Sequence, residues 1–251
     1  MQSKTVQWYH HYLQHPGTNR LEETLVAIIW WRGTRPHIRK HVKCCVCCKF
    51  GKRCKHEYRH LQPKIAQVIP WNQVCVDLIG PYTIKAEAKT VMVFMCLIII
   101  DPATSWFEIV ELPNKDMTYI WDKDKEEIKE VIIDKSLACI ARLFNKSWLS
   151  RYPRAVSIVY DNGSEFKLFF ENVYECFQLK YKPTTIKNPQ ANAILEIIHQ
   201  VVTNMMQTSS LDVQETCTLD MIDDFIANVG RAICSTHHTV LGCTQGAAIF
   251  N

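Results

Sequence analysis

Residues Tyr160 to Gln200 read YDNGSEFKLFFENVYECFQLKYKPTTIKNPQANAILEIIHQ, and this stretch decides the fold. It opens where an apolar run meets a turn that carries Asp161, and it closes on Glu196 in an apolar helix. That helix starts at Asn188-Pro189, a favourable cap followed by a favourable first helical residue. A carboxylate at a strand end and one on a helix face can converge in space. Converging carboxylates bind hard divalent cations, so the stretch predicts a metal site.

Strand and helix patterns alternate along the rest of the chain. Apolar, β-branched and aromatic runs bounded by turn residues predict strands at 74–79, 91–100, 106–112, 155–160 and 179–181. Helical spacing of apolar residues predicts helices at 122–144, 164–176, 189–208 and 212–234. The order is three strands, helix, strand, helix, strand, helix, which is typical of the α/β class.

Two acids compete to be the partner of Asp161. Asp101 precedes a proline, and an Asp-Pro pair opens a turn, so Asp101 is expected to form the hairpin between the second and third strands. Asp77 interrupts the apolar strand QVCVDLIGPY, where a charge is costly unless it is paired or binds a metal. The sequence therefore favours Asp77.

The N-terminal segment is basic and carries a second set of metal ligands. Residues 1–65 hold 13 Lys or Arg against 3 Asp or Glu, a net of +10, whereas the remainder holds 16 against 22, a net of −6. Such asymmetry indicates a basic module that meets a polyanion. His10 and His15, about one helical turn apart, followed by a Cys-x-x-Cys pair, predict a structural zinc site. The pair is either Cys45 with Cys48 or the equally spaced Cys44 with Cys47.

Helical spacing also covers 18–29, and Trp30 and Trp31 are expected to cover the small core of this segment. No apolar run reaches the roughly 18 residues that span a bilayer, so no membrane partner is expected. Crowded cysteines at 44–54, with the others single in apolar segments, indicate a reducing compartment, nuclear or cytoplasmic.

The motifs resemble those of one family of enzymes. WYHHYLQHPG with the later cysteines resembles the HHCC zinc domain of retroviral and retrotransposon integrases, and the segment after HVK favours Cys45 and Cys48. VDLIGP, IDPATSWFEIV, YDNGSEF and NPQANAILE, in that order, resemble the DDE catalytic core of gypsy-like LTR-retrotransposon integrases. The resemblance implies a mixed five-stranded RNase H-like core with flanking helices, preceded by a small helical zinc-binding domain.

The resemblance also implies site residues, cofactors and partners. Asp77, Asp161 and Glu196 match the catalytic acids, which would hold two Mg²⁺ or Mn²⁺ ions for 3′-end processing and strand transfer. DNA and further copies of the chain are the expected partners. The expected nucleic-acid contacts are Asn162, Gln190, Asn192 and His199.

The implied organisation is a zinc-binding domain at 1–60, a linker at 61–69 and a catalytic core at 70–251. The C-terminal DNA-binding domain of relatives is expected to be absent, because the chain ends at Asn251. Ile197 stands where the family commonly has Arg, and Gln245 stands at the usual Pro position. These departures leave open an inactive or domesticated integrase-derived protein that binds nucleic acid without catalysis.

Overall fold

Helices form the N-terminal part of the chain, and a sheet with covering helices forms the rest. The computed structural model describes residues 2–51, 69–85, 91–114, 133–160, 180–183, 189–209 and 219–250. The helices are α1 (Gln2–Tyr12), α2 (Thr18–Val26), α3 (Thr34–Cys44), α4 (Val46–Gly51), α5 (Leu137–Phe144), α6 (Pro189–Thr208), α7 (Leu219–Ser235) and α8 (Gln245–Phe250). The strands are β1 (Gln73–Lys85), β2 (Val91–Ile100), β3 (Phe107–Glu111), β4 (Ser157–Tyr160), β5 (Lys180–Pro183), β6 (His237–His238) and β7 (Cys243–Thr244).

The main sheet has the strand order β3-β2-β1-β4-β5. β1 pairs antiparallel with β2, and β2 pairs antiparallel with β3. β4 runs parallel to both β1 and β5. The predicted α/β class with a mixed sheet is therefore confirmed.

Side chains of β1 alternate between two buried layers. Cys75 and Ile79 belong to the layer that α6 and α7 cover, whereas Val74 and Val76 belong to the layer that α5 covers. β2 alternates in the same way, so both of its faces are buried and it reads as an uninterrupted apolar run. Because alternate residues share a face, Asp77 is on the α6 side of the sheet.

The β1–β2 register shifts between Ile79 and Tyr82, where Gly80 and Pro81 stand. Gly80 has φ 110°, and a Cβ built there would lie 3.1 Å from the carbonyl oxygen of Phe94. Only glycine suits that backbone and that close approach. The bulge lies between Asp77 and Tyr82, whose hydroxyl contacts Thr203 on α6.

The predicted helix at 122–144 is wrong at residues 133–136. Ile133 forms an antiparallel bridge with Asn114, and the N–H of Asp134 donates to the carbonyl of Pro113 at 2.9 Å. These residues are extended, so α5 begins only after Ser136, whose Oγ accepts from the N–H of Cys139 at 3.4 Å. Residues 122–132 lie outside the described part of the chain, as does the predicted helix at 164–176.

β1 runs to Lys85, six residues beyond its predicted end at 79, whereas several other elements follow the sequence closely. The predicted bounds of β2 and α6 are confirmed, and β4 and β5 differ from prediction by two residues or fewer at each end. α2 ends at Val26, three residues earlier than expected. Trp31 packs on the N-terminal apolar cluster, but Trp30 is 76% exposed, so the expectation for Trp30 is wrong.

The N-terminal helices contact the last part of the chain. Thr24 of α2 accepts a hydrogen bond through Oγ1 from the backbone N–H of His237 at 2.9 Å. The guanidinium of Arg231 on α7 lies over the ring of Tyr12, 4.5 Å from its centroid, a cation–π contact. Within the described ranges, no helix is both long and apolar enough to cross a membrane.

Glu111, the last residue of β3, forms a carboxyl pair with Asp223 on α7. Burial, and then the charge and hydrogen bond of Asp223, raise the pKa of Glu111 to about 7. The folded state therefore binds a proton that the unfolded chain loses near pH 4.5. The protonated pair therefore stabilises the folded state fully below pH 4.5, and this stabilisation is lost as the pH rises towards 7.

Glu111→Gln should stabilise the protein at alkaline pH, because it removes the cost of ionising a half-buried acid. We expect its gain in unfolding free energy over the wild type to be about 1 kcal/mol larger at pH 8 than at pH 5, after discounting for solvent screening. Urea unfolding at both pH values measures the difference. Asp224→Asn, at an exposed neighbour on the same helix, is the control and should show no such pH dependence. An equal gain at both pH values would contradict the assignment.

Candidate functional site

The end of α1 brings two histidines together. On one continuous helix, residues five positions apart would point about 140° away from each other. Here α1 stops at Tyr12, and Gln14 and His15 take the left-handed conformation, with φ 54° and 56°. The N–H of His15 donates to the carbonyl of His10 at 2.8 Å, which closes the turn. The two imidazoles meet through this reversal and not through the helical turn that the spacing predicts.

Cys45 and Cys48 complete a group of four ligands. Cys45 ends α3 in an extended conformation, and Cys48 lies in α4, so the break between these helices turns both thiols towards the histidines. The ligand atoms of His10, His15, Cys45 and Cys48 all lie within 4.8 Å of one another. His10 and His15 are buried.

The separations within the group fit tetrahedral coordination. His15 Nδ1 lies 3.2 Å from His10 Nε2. The Cys45 and Cys48 sulfurs lie 3.4 and 3.7 Å from His15 Nδ1, and the Cys48 sulfur lies 3.3 Å from His10 Nε2. Around a tetrahedral zinc ion, nitrogen–nitrogen edges are about 3.3 Å and nitrogen–sulfur edges about 3.6 Å. The group can therefore hold one zinc ion with little rearrangement.

The alternative cysteine register does not enter this group. Cys44 and Cys47 are exposed, whereas Cys45 and Cys48 are half-buried beside the histidines. Consecutive helical positions differ by about 100° in direction, so only one of the two pairs can face the group. The described structure brings together the pair that the family resemblance favours.

Asp77 lies on β1 with both carboxylate oxygens in contact. Its Oδ1 accepts from the backbone N–H of Leu78 at 2.8 Å, and its Oδ2 lies 3.3 Å from Nε2 of His199 on α6. The Asp77 side chain is 21% exposed. A carboxylate so placed is partly desolvated yet reachable from solvent.

Glu196 shares one stripe of α6 with two residues that contact β1. His199 contacts Asp77, and the hydroxyls of Thr203 and Tyr82 lie 3.2 Å apart. Glu196, His199 and Thr203 fall within an arc of about 60° on a helix of 3.6 residues per turn. Glu196 is exposed, one turn before His199. The stripe therefore directs the glutamate towards the side of α6 on which Asp77 lies.

Asp101 is a structural residue. It is fully buried in the β2–β3 connection. Its carboxylate accepts from the N–H of Ala103 at 3.0 Å, from the hydroxyl of Thr104 at 2.7 Å and from the N–H of Trp71 at 3.3 Å. Through these hydrogen bonds, the Asp101 carboxylate stabilises the hairpin and joins it to the residues that precede β1. The expectation that Asp101 forms the turn is confirmed.

The remaining predicted residues are only partly described. Asp161 and Asn162 lie outside the described ranges, which end at Tyr160 in that part of the chain. Gln190 and Asn192 belong to the first turns of α6, and only their backbone is described. Sequence reasoning identified His199 but missed its contact with Asp77. The sequence signal that could have indicated this contact is the spacing of three residues between Glu196 and His199, since residues i and i+3 share a helix face.

The complete fold has counterparts among solved structures. No family model matches the chain. A chain of the simian T-cell lymphotropic virus intasome in complex with PP2A regulatory subunit B56 gamma is similar over 100% of this chain and 73% of its own length, with TM-score 0.55 and 11% identity. The likeness establishes the fold alone. The catalytic core domain of BIV integrase is also similar, with TM-score 0.47 and 13% identity, over 71% of this chain and 93% of that one.

Replacing one ligand should remove the metal, and replacing its neighbour should not. We expect about one zinc per chain in the wild type and in Cys47→Ser, but almost none in Cys48→Ser. The N-terminal helices of Cys48→Ser should also melt at lower temperature, because metal binding stabilises the folding of so small a segment. Elemental analysis after dialysis and circular dichroism measure both effects. Loss of zinc from Cys47→Ser alone would show that the other cysteine register binds the metal.

Proposed function

We propose that the chain is the integrase of a retrotransposon, a metal-dependent polynucleotidyl transferase that trims the 3′ ends of element DNA and joins them to target DNA. The observation that carries the proposal is the position of the partly exposed Asp77 carboxylate. It faces the stripe of α6 that holds Glu196. The proposed architecture is an RNase H-like core with a small zinc-binding domain before it. The proposed relatives are gypsy-like LTR-retrotransposon integrases.

Asp161 is the proposed third acid. It directly follows Tyr160, and Tyr160 pairs with Val76, the residue before Asp77, on the neighbouring parallel strand. Neighbouring strands lie about 4.8 Å apart, so the strand register supports the proposal that Asp161 lies beside Asp77. Three carboxylates there would bring a concentration of negative charge that needs cations.

The donor set suits Mg²⁺ or Mn²⁺. Asp77, Asp161 and Glu196 offer only carboxylate oxygens, the ligands that hard divalent cations prefer, whereas the histidine and cysteine group suits zinc. When bound, two divalent ions would activate a water or a DNA 3′-hydroxyl and stabilise the leaving oxygen on phosphorus. Asp77 would contribute an oriented ligand from the rigid sheet, and exposed Glu196 would contribute one at the rim, where DNA can enter.

The basic N-terminal helices are the proposed phosphate-binding surface. Lys40 and Lys43 are exposed on α3, whereas Arg35 and Arg39 form ion pairs with the buried carboxylate of Glu22. Lysines on such a surface attract DNA without reading its sequence. We propose Asn162, Gln190 and Asn192 as further DNA contacts near the acids.

Oligomerisation, nuclear or cytoplasmic location, and the division into a zinc-binding domain (1–60), a linker (61–69) and a core (70–251) remain predictions. The described part of the zinc-binding segment ends at residue 51, and the core is described from residue 69. The contacts of Thr24 with His237 and of Tyr12 with Arg231 support a zinc-binding domain that works packed against the core.

Removal of any one acid should abolish the reaction. With Mn²⁺, the wild type should nick supercoiled plasmid and join a labelled short duplex to it, and gel analysis of label transfer measures both. Asp77→Asn, Asp161→Asn and Glu196→Gln should each lower the rate by about 100-fold or more, since each removes a charged ligand of the reaction centre.

Asp224→Asn, an exposed acid on α7, should retain wild-type activity in the same assay. A wild-type chain that binds the duplex but neither nicks nor joins DNA would contradict the enzymatic proposal. That result would point to the inactive, nucleic-acid-binding alternative.

A further inference from the structure

The contact between His199 and Asp77 is a specific feature of the β1–α6 interface. Nε2 of His199 is buried and lies 3.3 Å from Oδ2 of Asp77. Among the described residues it makes no aligned hydrogen bond. A buried ring nitrogen left unsatisfied destabilises the fold, so a small rotation that aligns it with the carboxylate is favoured.

His199 is held in place by the residues around it on α6. Leu195 and Ile198 are buried in the layer between α6 and the sheet, and they fix the rotation of the helix. One turn further on, Thr203 contacts the hydroxyl of Tyr82 from the same strand as Asp77. Two polar contacts and a buried apolar face therefore set the distance from the imidazole to the carboxylate.

The two contacts of Asp77 fix the plane of its carboxylate. The Leu78 N–H donates to Oδ1 from within the strand, and Nε2 of His199 lies 3.3 Å from Oδ2 on the helix side. Each carboxylate oxygen has about two lone-pair directions, so one contact per oxygen leaves room for metal coordination. An oriented carboxylate binds metal more tightly than a freely rotating one, because less rotational freedom is lost on binding.

We propose that His199 is a positioning residue for Asp77: its imidazole N–H orients the carboxylate for divalent-metal binding. The inference rests on the proposed function, which makes Asp77 a metal ligand. It gives His199 a role different from the DNA contact that the sequence predicts. The side chain is 35% exposed, so its other face remains open to solvent.

Mn²⁺ affinity of the zinc-loaded full chain tests the proposal without any catalytic assay. The electron paramagnetic resonance signal of free Mn²⁺ gives the dissociation constant for the wild type, Asp77→Asn, His199→Ala and His199→Gln. We expect His199→Ala to weaken binding by about 10-fold or more, the usual effect of losing a partner of a metal ligand. His199→Gln places an amide N–H close to the position of Nε2 and should restore most of the affinity. Ile197→Ala is the matched control: it is exposed and points about 160° away from His199.

The outcomes separate this inference from the proposed function. Unchanged Mn²⁺ affinity in Asp77→Asn would overturn the metal site and the inference together. Weaker binding in Asp77→Asn but unchanged or tighter binding in His199→Ala would leave the metal site standing and overturn the positioning role. Equal losses in His199→Ala and His199→Gln, with wild-type circular dichroism, would also overturn the positioning role, because an N–H at the position of Nε2 would then not be what orients the carboxylate.

Discussion

The alternation of side chains along β1 determines where the polar groups of the core lie. Because successive residues point to opposite faces, the burial of Val74 and Val76 under α5 turns Cys75, Asp77 and Ile79 towards α6. Asp77 is then a charge at the margin of an apolar layer, and its neighbours are set by that layer. A shift of one residue in the register would bury Asp77 under α5 and turn Val76 towards α6. The bulge at Gly80 and Pro81 comes after Asp77, so the pairing with Ile98 is regular at the acid itself.

Two kinds of candidate metal ligand are kept apart along the chain. Soft thiolates and imidazoles lie in the N-terminal helices, where the apolar cluster is small, and a bound ion would contribute directly to folding. Carboxylates lie in the core, where two thick apolar layers already hold the sheet. At the two proposed metal sites, loss of metal should therefore have different consequences, for the fold at the N-terminal group and for chemistry at the carboxylates. The buried Glu22 carboxylate on α2 forms ion pairs with Arg35 and Arg39 on α3, and these also hold the small N-terminal segment together.

Sequence patterns predicted elements best where burial is regular. β2 has both faces covered, and α6 has one clear apolar face and begins at the Asn188-Pro189 cap, so the sequence pattern predicted their bounds. The pattern misled where a local contact overrides it. Residues 133–136 have helical spacing but are held extended by the pairing of Ile133 with Asn114. His10 and His15 meet through a left-handed turn at Gln14 and His15 that the spacing of the histidines cannot reveal, because positive φ is uncommon at any residue other than glycine. For the candidate site, the prediction of Asp77 rests on an acid in an apolar strand. The contact between Asp77 and His199 needed three-dimensional information, because it depends on the rotation of α6 against β1.

The hydrogen bond from His237 to Thr24 joins residues separated by 213 positions. Arg231, over the ring of Tyr12, lies in the same late part of the chain. During synthesis the N-terminal helices leave the ribosome first and carry their own metal ligands, so they can fold while the sheet is still incomplete. Their docking surface does not exist until α7 and β6 have emerged. These helices are made before the sheet but reach their place only after it, so the order of translation separates their folding from their assembly onto the core.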